Sequence, residues 1–167
     1  AFYYCTSLRG IKLPGVREVE QYAFYNCTSL TDVEFGNKLE RIGEYAFVGC
    51  LLQKIKMPTV RTIKEVAFDD CEQLTDVELP DIETIGYSAV IRYPRLRRIA
   101  IPLKDNMFPL HPLYQQRYTQ FAECENLTTV GLIGVEGIHK TISSLLLESW
   151  RDEMNQEIDR INQDLPN

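Results

Sequence analysis

Five cysteines have the widest chemical repertoire in this chain: Cys5, Cys27, Cys50, Cys71 and Cys124. A thiol can close a disulfide, hold a metal or attack an electrophile, and each use demands its own spacing. Five is odd, so a complete set of internal disulfides is impossible. The intervals of 22, 23, 21 and 53 residues contain no CxxC pair and no zinc-ligand rhythm. His111 and His139 are the only histidines, and neither has a nucleophile or carboxylate in motif spacing. The sequence holds no phosphate-cradling glycine-rich loop, no HExxH and no GxSxG. These residues predict no catalytic centre, no metal and no cofactor, with the thiols buried one per repeat. Unpaired thiols favour a reducing, intracellular compartment. Asn26-Cys27-Thr28 and Asn126-Leu127-Thr128 have the form of glycosylation acceptors and point to the alternative, the cell surface or secretion.

The first three intervals are nearly equal, which shifts attention from the thiols to what carries them. Each of Cys5, Cys27, Cys50 and Cys71 stands three residues after the Phe of an Ala-Phe pair: Ala1-Phe2, Ala23-Phe24, Ala46-Phe47, Ala67-Phe68. Ala89-Val90 and Gln120-Phe121 are weaker copies, and Tyr93 takes the cysteine place in the fifth. An LxxIxL run follows each, as in Leu8-Ile11-Leu13, Leu30-Val33-Phe35, Leu74-Val77-Leu79 and Leu96-Ile99-Ile101. Alternation of this kind is strand periodicity with the apolar residues inward. Pro14, Pro58, Pro80 and Pro102 end the run, since proline donates nothing to a ladder. A second apolar pair (Val16/Val19, Leu39/Ile42, Val60/Ile63, Ile82/Ile85) predicts a shorter strand on an opposite wall. Gly43 and Gly86 follow it, where a tight turn is expected to need positive φ. A single coil of this size cannot bury its own apolar face, but stacked coils bury a continuous core.

The phrases "IGEYAFVGC" (Ile42 to Cys50) and "AFDDCEQLTDVELP" (Ala67 to Pro80) resemble the BspA-type leucine-rich repeat, whose signature runs roughly IgxyAFxxCxxLxxIxLP. The resemblance covers residues 1–102 and, after an insertion, about 119–135. The ending, "SLLLESWRDEMNQEIDRINQDLP", resembles the tail on versions of this family in unicellular algae. The implied fold is a leucine-rich-repeat solenoid of the α/β horseshoe class, rich in parallel β strands, with about six coils and a C-terminal α-helical cap. Residues 1–135 form the solenoid, with an insertion loop at about 103–119, and 136–167 the capping helix and tail. Members of the family are mostly known as binding or surface-interaction proteins. The resemblance therefore implies a non-catalytic protein-binding or scaffolding module, or alternatively a self-assembling structural or adhesion protein.

Charge narrows the partner. A net charge of -6 and a pI near 5.0 exclude a general nucleic-acid or anionic-membrane binder, and no apolar run is long enough to span a bilayer. On the strands the outward columns alternate in sign: Lys12, Glu34, Lys56, Glu78; then Asp32, Lys54, Asp76, Arg98; and on the second wall Arg17, Glu40, Arg61, Glu83. Neighbours in adjacent coils attract, so these columns neutralise themselves and set register. A basic patch escapes the alternation, comprising Arg92, Arg95, Arg97 and Arg98, and is a candidate contact for an acidic protein partner. So is the insertion, through Phe108, His111, Tyr114 and Tyr118. Beyond Val135 apolar residues recur every three or four places and predict an amphipathic helix plugged by Trp150. Its outer half, with Met154, Ile158 and Ile161, is a candidate for self-association. The chain also opens inside a coil, so Phe2, Ile11 and Leu13 are expected at an open end, where a second copy would form a homo-oligomer.

Overall fold

A computed structural model describes residues 1–89, 93–102, 107–108 and 124–133. Every regular element among them is a strand. The first wall takes β1 (Gly10–Leu13), β3 (Asp32–Phe35), β5 (Lys54–Lys56), β7 (Asp76–Glu78), β9 (Arg98–Pro102) and β10 (Thr129–Ile133). The second wall takes β2 (Glu18–Val19), β4 (Arg41–Ile42), β6 (Thr62–Ile63) and β8 (Thr84–Ile85). All pairings are parallel and join equivalent strands of adjacent coils, and on the first wall they form two separate sheets. The register sets Ile11 opposite Val33, Ile55 opposite Val77 and Val77 opposite Ile99 on one wall. On the other it sets Val19, Ile42, Ile63 and Ile85 in a row. These inward residues meet in one core with Leu30, Leu39, Leu74 and Leu79. The expected solenoid is present, but the described coils have no helix, so the α/β label fails for them. Within 21–23 residues, two strands and two turns leave no length for one. The helix expected over 136–167 lies outside the described residues, and nothing described supports it.

The turn between the second wall and the next coil's first wall explains the Ala-Phe phrase. In the turns of coils two to four two residues adopt the left-handed conformation, and in the first and fifth one described residue does. One precedes the alanine (Tyr22, Tyr45, Val66, Ser88; φ between +52° and +57°) and one precedes the cysteine (Tyr4, Asn26, Gly49, Asp70; φ between +53° and +70°). That conformation aims the backbone N–H along the stack. Tyr22, Tyr45 and Val66 donate to the carbonyls of Glu44, Glu65 and Tyr87 in the following coil, and Tyr4, Asn26 and Gly49 donate to Tyr25, Val48 and Asp69. The turns are thus hydrogen-bonded coil to coil, as strands are, and their polar backbone is satisfied. The rings of Phe2, Phe24, Phe47 and Phe68 stack at 5.0–5.3 Å with interplanar angles of 7° or less, near the inter-strand spacing. The expected column is therefore formed by these four, while Phe121 lies outside the described residues.

Three local features depart from or add to the sequence reading. Gly43 and Gly86 do not have positive φ; among the described glycines the one that does is Gly49. A Cβ on Gly43 would lie 2.6 Å from Gln21 N, and one on Gly86 2.6 Å from Glu65 N, so what these glycines permit is close approach to the preceding coil. Of the stretch expected as an insertion, about 103–119, only Met107 and Phe108 are described. Met107 is buried and its carbonyl accepts the Ile85 N–H at 2.8 Å, so it takes the second-wall place of the fifth coil, 22 residues after Ile85. Phe108 is likewise in the core at 3% exposure, which removes it as a surface contact. Lastly, the first wall is divided: β1 pairs only β3, and β5 begins a separate sheet. The cause is one missing residue, since Cys50-Leu51-Leu52 is a place shorter than Cys27-Thr28-Ser29-Leu30. Elsewhere the residue after the leucine bonds its equivalent one coil back, as Thr75 N–H does Gln53 O and Thr128 N–H does Arg97 O. In the shortened coil Leu51 N–H takes Leu30 O instead, and Leu51 is left exposed.

Candidate functional site

The cysteine place has a single structural task. Cys27 Sγ donates to Phe2 O at 3.0 Å, Cys50 Sγ to Phe24 O at 3.2 Å, and Cys71 Sγ to Phe47 O at 3.1 Å. Tyr93 fills the same place because its hydroxyl reaches Phe68 O at 2.8 Å, and Ala89 O at 3.1 Å. What recurs is a buried donor to the phenylalanine carbonyl of the preceding coil. None of the five cysteines is in a disulfide. Burial pushes the Cys50 thiol up to about 12, and Cys71 well above the ordinary value; Cys27 is raised by the same cause. A nucleophile needs thiolate, so these three are held in the unreactive form at neutral pH.

The walls spend much of their charge internally. Lys12 Nζ lies 2.6 Å from Glu34, Lys56 Nζ 3.2 Å from Glu78, and Arg61 3.5 Å from Glu83, as the alternation predicts. Glu78 also takes Arg98 at 3.4 Å, and its carboxyl is held below the usual range by the Lys56 hydrogen bond first. Arg41 bonds Glu18 at 2.8 Å, a column the sequence reading did not anticipate. Arg98, a member of the expected basic patch, is therefore already paired. Arg95 bonds the Gln73 amide oxygen at 2.5 Å, and Arg97 is exposed. Arg92, His111, Tyr114, Tyr118, Met154, Ile158 and Ile161 lie outside the described residues. Phe2 ends the ring column at 40% exposure, and Ile11 and Leu13 are half-buried. Of the two glycosylation-form asparagines, Asn126 donates its amide to Pro94 O at 2.6 Å, and Asn26 occupies a left-handed turn position.

The sequence reading missed the turn ridge. The two places between phenylalanine and cysteine are exposed or half-buried except at Val48, which is buried, and down the stack they read Tyr3-Tyr25-Val48-Asp69 and Tyr4-Asn26-Gly49-Asp70. They pass from aromatic to small to acidic. At the aromatic end Tyr3, Tyr4, Tyr22 and Tyr25 contact one another with ring centroids 4.6–6.3 Å apart, and Tyr22 stacks on Tyr45 at 5.0 Å. Tyr3 and Tyr4 are more than half exposed. From Tyr25 a trough of about 850 Å³ runs along the ridge past Asp69, Asp70 and Glu72 to Glu125. Its described lining contains four carboxylates and neither lysine nor arginine. Asp70, Glu72 and Glu125 enter no ion pair among the described residues. No group of three or more metal-ligating side chains converges among the described residues, so the carboxylates are spread along the trough. The signal was available in the two columns, but it only acquires meaning once the coils are stacked.

Parallel coils, a two-walled core and a hydrogen-bonded turn ladder define a leucine-rich-repeat solenoid with an open ridge. A family model for the BspA type leucine rich repeat region matches residues 1–128 in six copies, and the chain belongs to that family. Among solved structures it is similar to a leucine-rich repeat protein from Bacteroides ovatus, with 24% identity and a TM-score of 0.59 over 77% of this chain and 32% of that one. It is also similar to a leucine rich cell surface protein from Faecalibacterium prausnitzii, with 25% identity and a TM-score of 0.61 over 81% of this chain and 35% of that one. The chain thus spans about a third of the length of these two proteins. No curated protein matches it. Among the described residues no helix is long and apolar enough to cross a membrane.

Proposed function

We propose that this chain is a non-catalytic protein-binding module whose contact surface is the turn ridge. One contrast carries the reading: wall charges are largely paired within the chain, whereas the described part of the ridge presents exposed tyrosines and a trough whose described lining holds carboxylates and neither lysine nor arginine. Tyrosine is enriched at protein interfaces and among the residues that carry their binding energy. The similarity to a cell surface protein supports an interaction role outside catalysis.

The test is recovery of partners from source-cell extract on the immobilised full chain. A ridge variant (Tyr25→Ser with Asp70→Asn) is expected to lose them. A wall variant that removes a paired couple (Lys12→Gln with Glu34→Gln) is expected to keep them. Equal recovery by both would sink the ridge as the contact surface. A third variant, Arg95→Ala with Arg97→Ala, asks the same of the exposed basic pair. The wild-type chain is expected to be monomeric at micromolar concentration, and a mass that grows with concentration would favour self-assembly instead.

A further inference from the structure

We infer that the tyrosine end of the ridge is an oxidative cross-linking site, at which a haem peroxidase with hydrogen peroxide joins Tyr4 of the first coil to Tyr25 of the second. This goes beyond the binding reading and does not rest on it. Five of the nine tyrosines, Tyr3, Tyr4, Tyr22, Tyr25 and Tyr45, form one contact cluster over the first three coils. Tyr3 and Tyr4 are more than half exposed and Tyr22 is exposed, so an oxidant reaches their phenols from solvent. Tyr93, by contrast, is fully buried.

The chemistry needs two phenols and a two-electron oxidant. Each phenol gives up its hydroxyl hydrogen atom, so two O–H bonds break and two phenoxyl radicals form. The radicals pair through ring carbons adjacent to the oxygen-bearing carbons, which makes one carbon–carbon bond. Each of those carbons then loses its hydrogen as a proton, and each oxygen regains one. The peroxide takes up the two electrons and two protons and leaves as water.

Geometry selects the pair. In the product the two rings lie edge to edge, twisted about the new bond. Tyr3 with Tyr25 and Tyr22 with Tyr45 are stacked, at 5.4 Å and 5.0 Å, so their faces meet and their edges do not. Tyr3 with Tyr4, Tyr3 with Tyr22 and Tyr22 with Tyr25 meet edge to face, at 70°, 85° and 70°. Tyr4 and Tyr25 lie 5.8 Å apart at 55°, the one tilted contact among the described rings. A rotation of the exposed Tyr4 ring, a fast motion for a surface side chain, brings the two edges together. The fold holds the pair in reach, since Tyr4 N–H donates to Tyr25 O at 2.9 Å. The bond would tie the first coil covalently to the second.

The test treats the full chain, at low micromolar concentration, with peroxidase and limiting peroxide. The expected product has the blue fluorescence of coupled tyrosine, is two hydrogen atoms lighter and still runs as a monomer on a denaturing gel. Trypsin should release residues 1–9 joined to residues 18–38, the peptides that hold Tyr4 and Tyr25. Tyr4→Phe and Tyr25→Phe should each abolish that joined pair, whereas Tyr3→Phe and Tyr22→Phe should keep it. Absence of the joined pair would overturn the inference. So would its survival in Tyr4→Phe or Tyr25→Phe, its equal loss in Tyr3→Phe, or coupling chiefly between separate chains. Phenylalanine preserves each ring, and thermal melts of the untreated variants check that the coils remain folded.

Discussion

Tyr93 shows what the repeat asks of a residue. Its ring fills a place that cysteine holds elsewhere, and its hydroxyl replaces the thiol as donor to the phenylalanine carbonyl one coil back. Tyr93→Phe removes the donor with almost no change of shape in a fully buried site. It is expected to cost about 1–2 kcal/mol in denaturant melts, because the Phe68 and Ala89 carbonyls each lose a partner. Cys71→Ser keeps a donor and should cost less than Cys71→Val, and the opposite order would refute the donor reading. Val66 is the reverse case. It is β-branched at φ +57°, where its equivalents are Tyr22, Tyr45 and Ser88. Such residues are strained in that conformation. Val66→Asn should therefore stabilise the protein by about 0.5–1 kcal/mol, measured by thermal or urea unfolding.

At the scale of the element, the turn after each second-wall strand is as tight as the wall itself. Gly86→Ala would place a Cβ 2.6 Å from a backbone nitrogen of the preceding coil, a contact no rotamer relieves. The expected cost is about 1–3 kcal/mol, and Gly43→Ala should behave alike. Gly15→Ala is the control: nothing lies within 4 Å of its added carbon. The division of the first wall gives a second prediction. Met57 N–H donates to Glu78 O at 3.1 Å and Leu79 N–H to Ala100 O at 2.9 Å, whereas β3 has no ladder with β5 to receive Phe35. Native-state hydrogen exchange should be faster at Phe35 than at Met57 or Leu79. Equal protection would mean that the two sheets are continuous in solution.

The whole molecule responds to pH through its buried acids. Folding raises the Cys27, Cys50 and Cys71 thiols and the Tyr93 phenol above their ordinary values, in each case chiefly by burial. An acid whose folded value is raised contributes its stability fully below the unfolded value and loses it as pH rises. For the thiols that loss starts near the ordinary value of 9.0 and, for Cys50, runs to about 12. Unfolding free energy should thus be flat across neutral pH and fall at alkaline pH. Cys50→Ser should make the fall shallower by removing one titrating group. An unchanged slope would show that this thiol is not buried in the folded state.

The spacing of Ala-Phe, Cys and LxxIxL, read along the chain, determined the coil, its two walls and the phenylalanine column, because a repeat too thin to bury its own apolar face has to stack. The same spacing predicted the ion pairs of Lys12 with Glu34 and Lys56 with Glu78, since parallel register makes equivalents neighbours. It did not predict the split at Leu51, because one missing residue is a small irregularity in sequence but a full slip of hydrogen-bond partner in a ladder. Nor did it locate Met107 and Phe108, which look like loop residues until the second wall is counted through them. The ridge was the largest omission. Tyr25, Asp70 and Glu125 are far apart in sequence and share no motif. Only the stacking of coils, which turns a position in the repeat into a place on a surface, brings them to one trough.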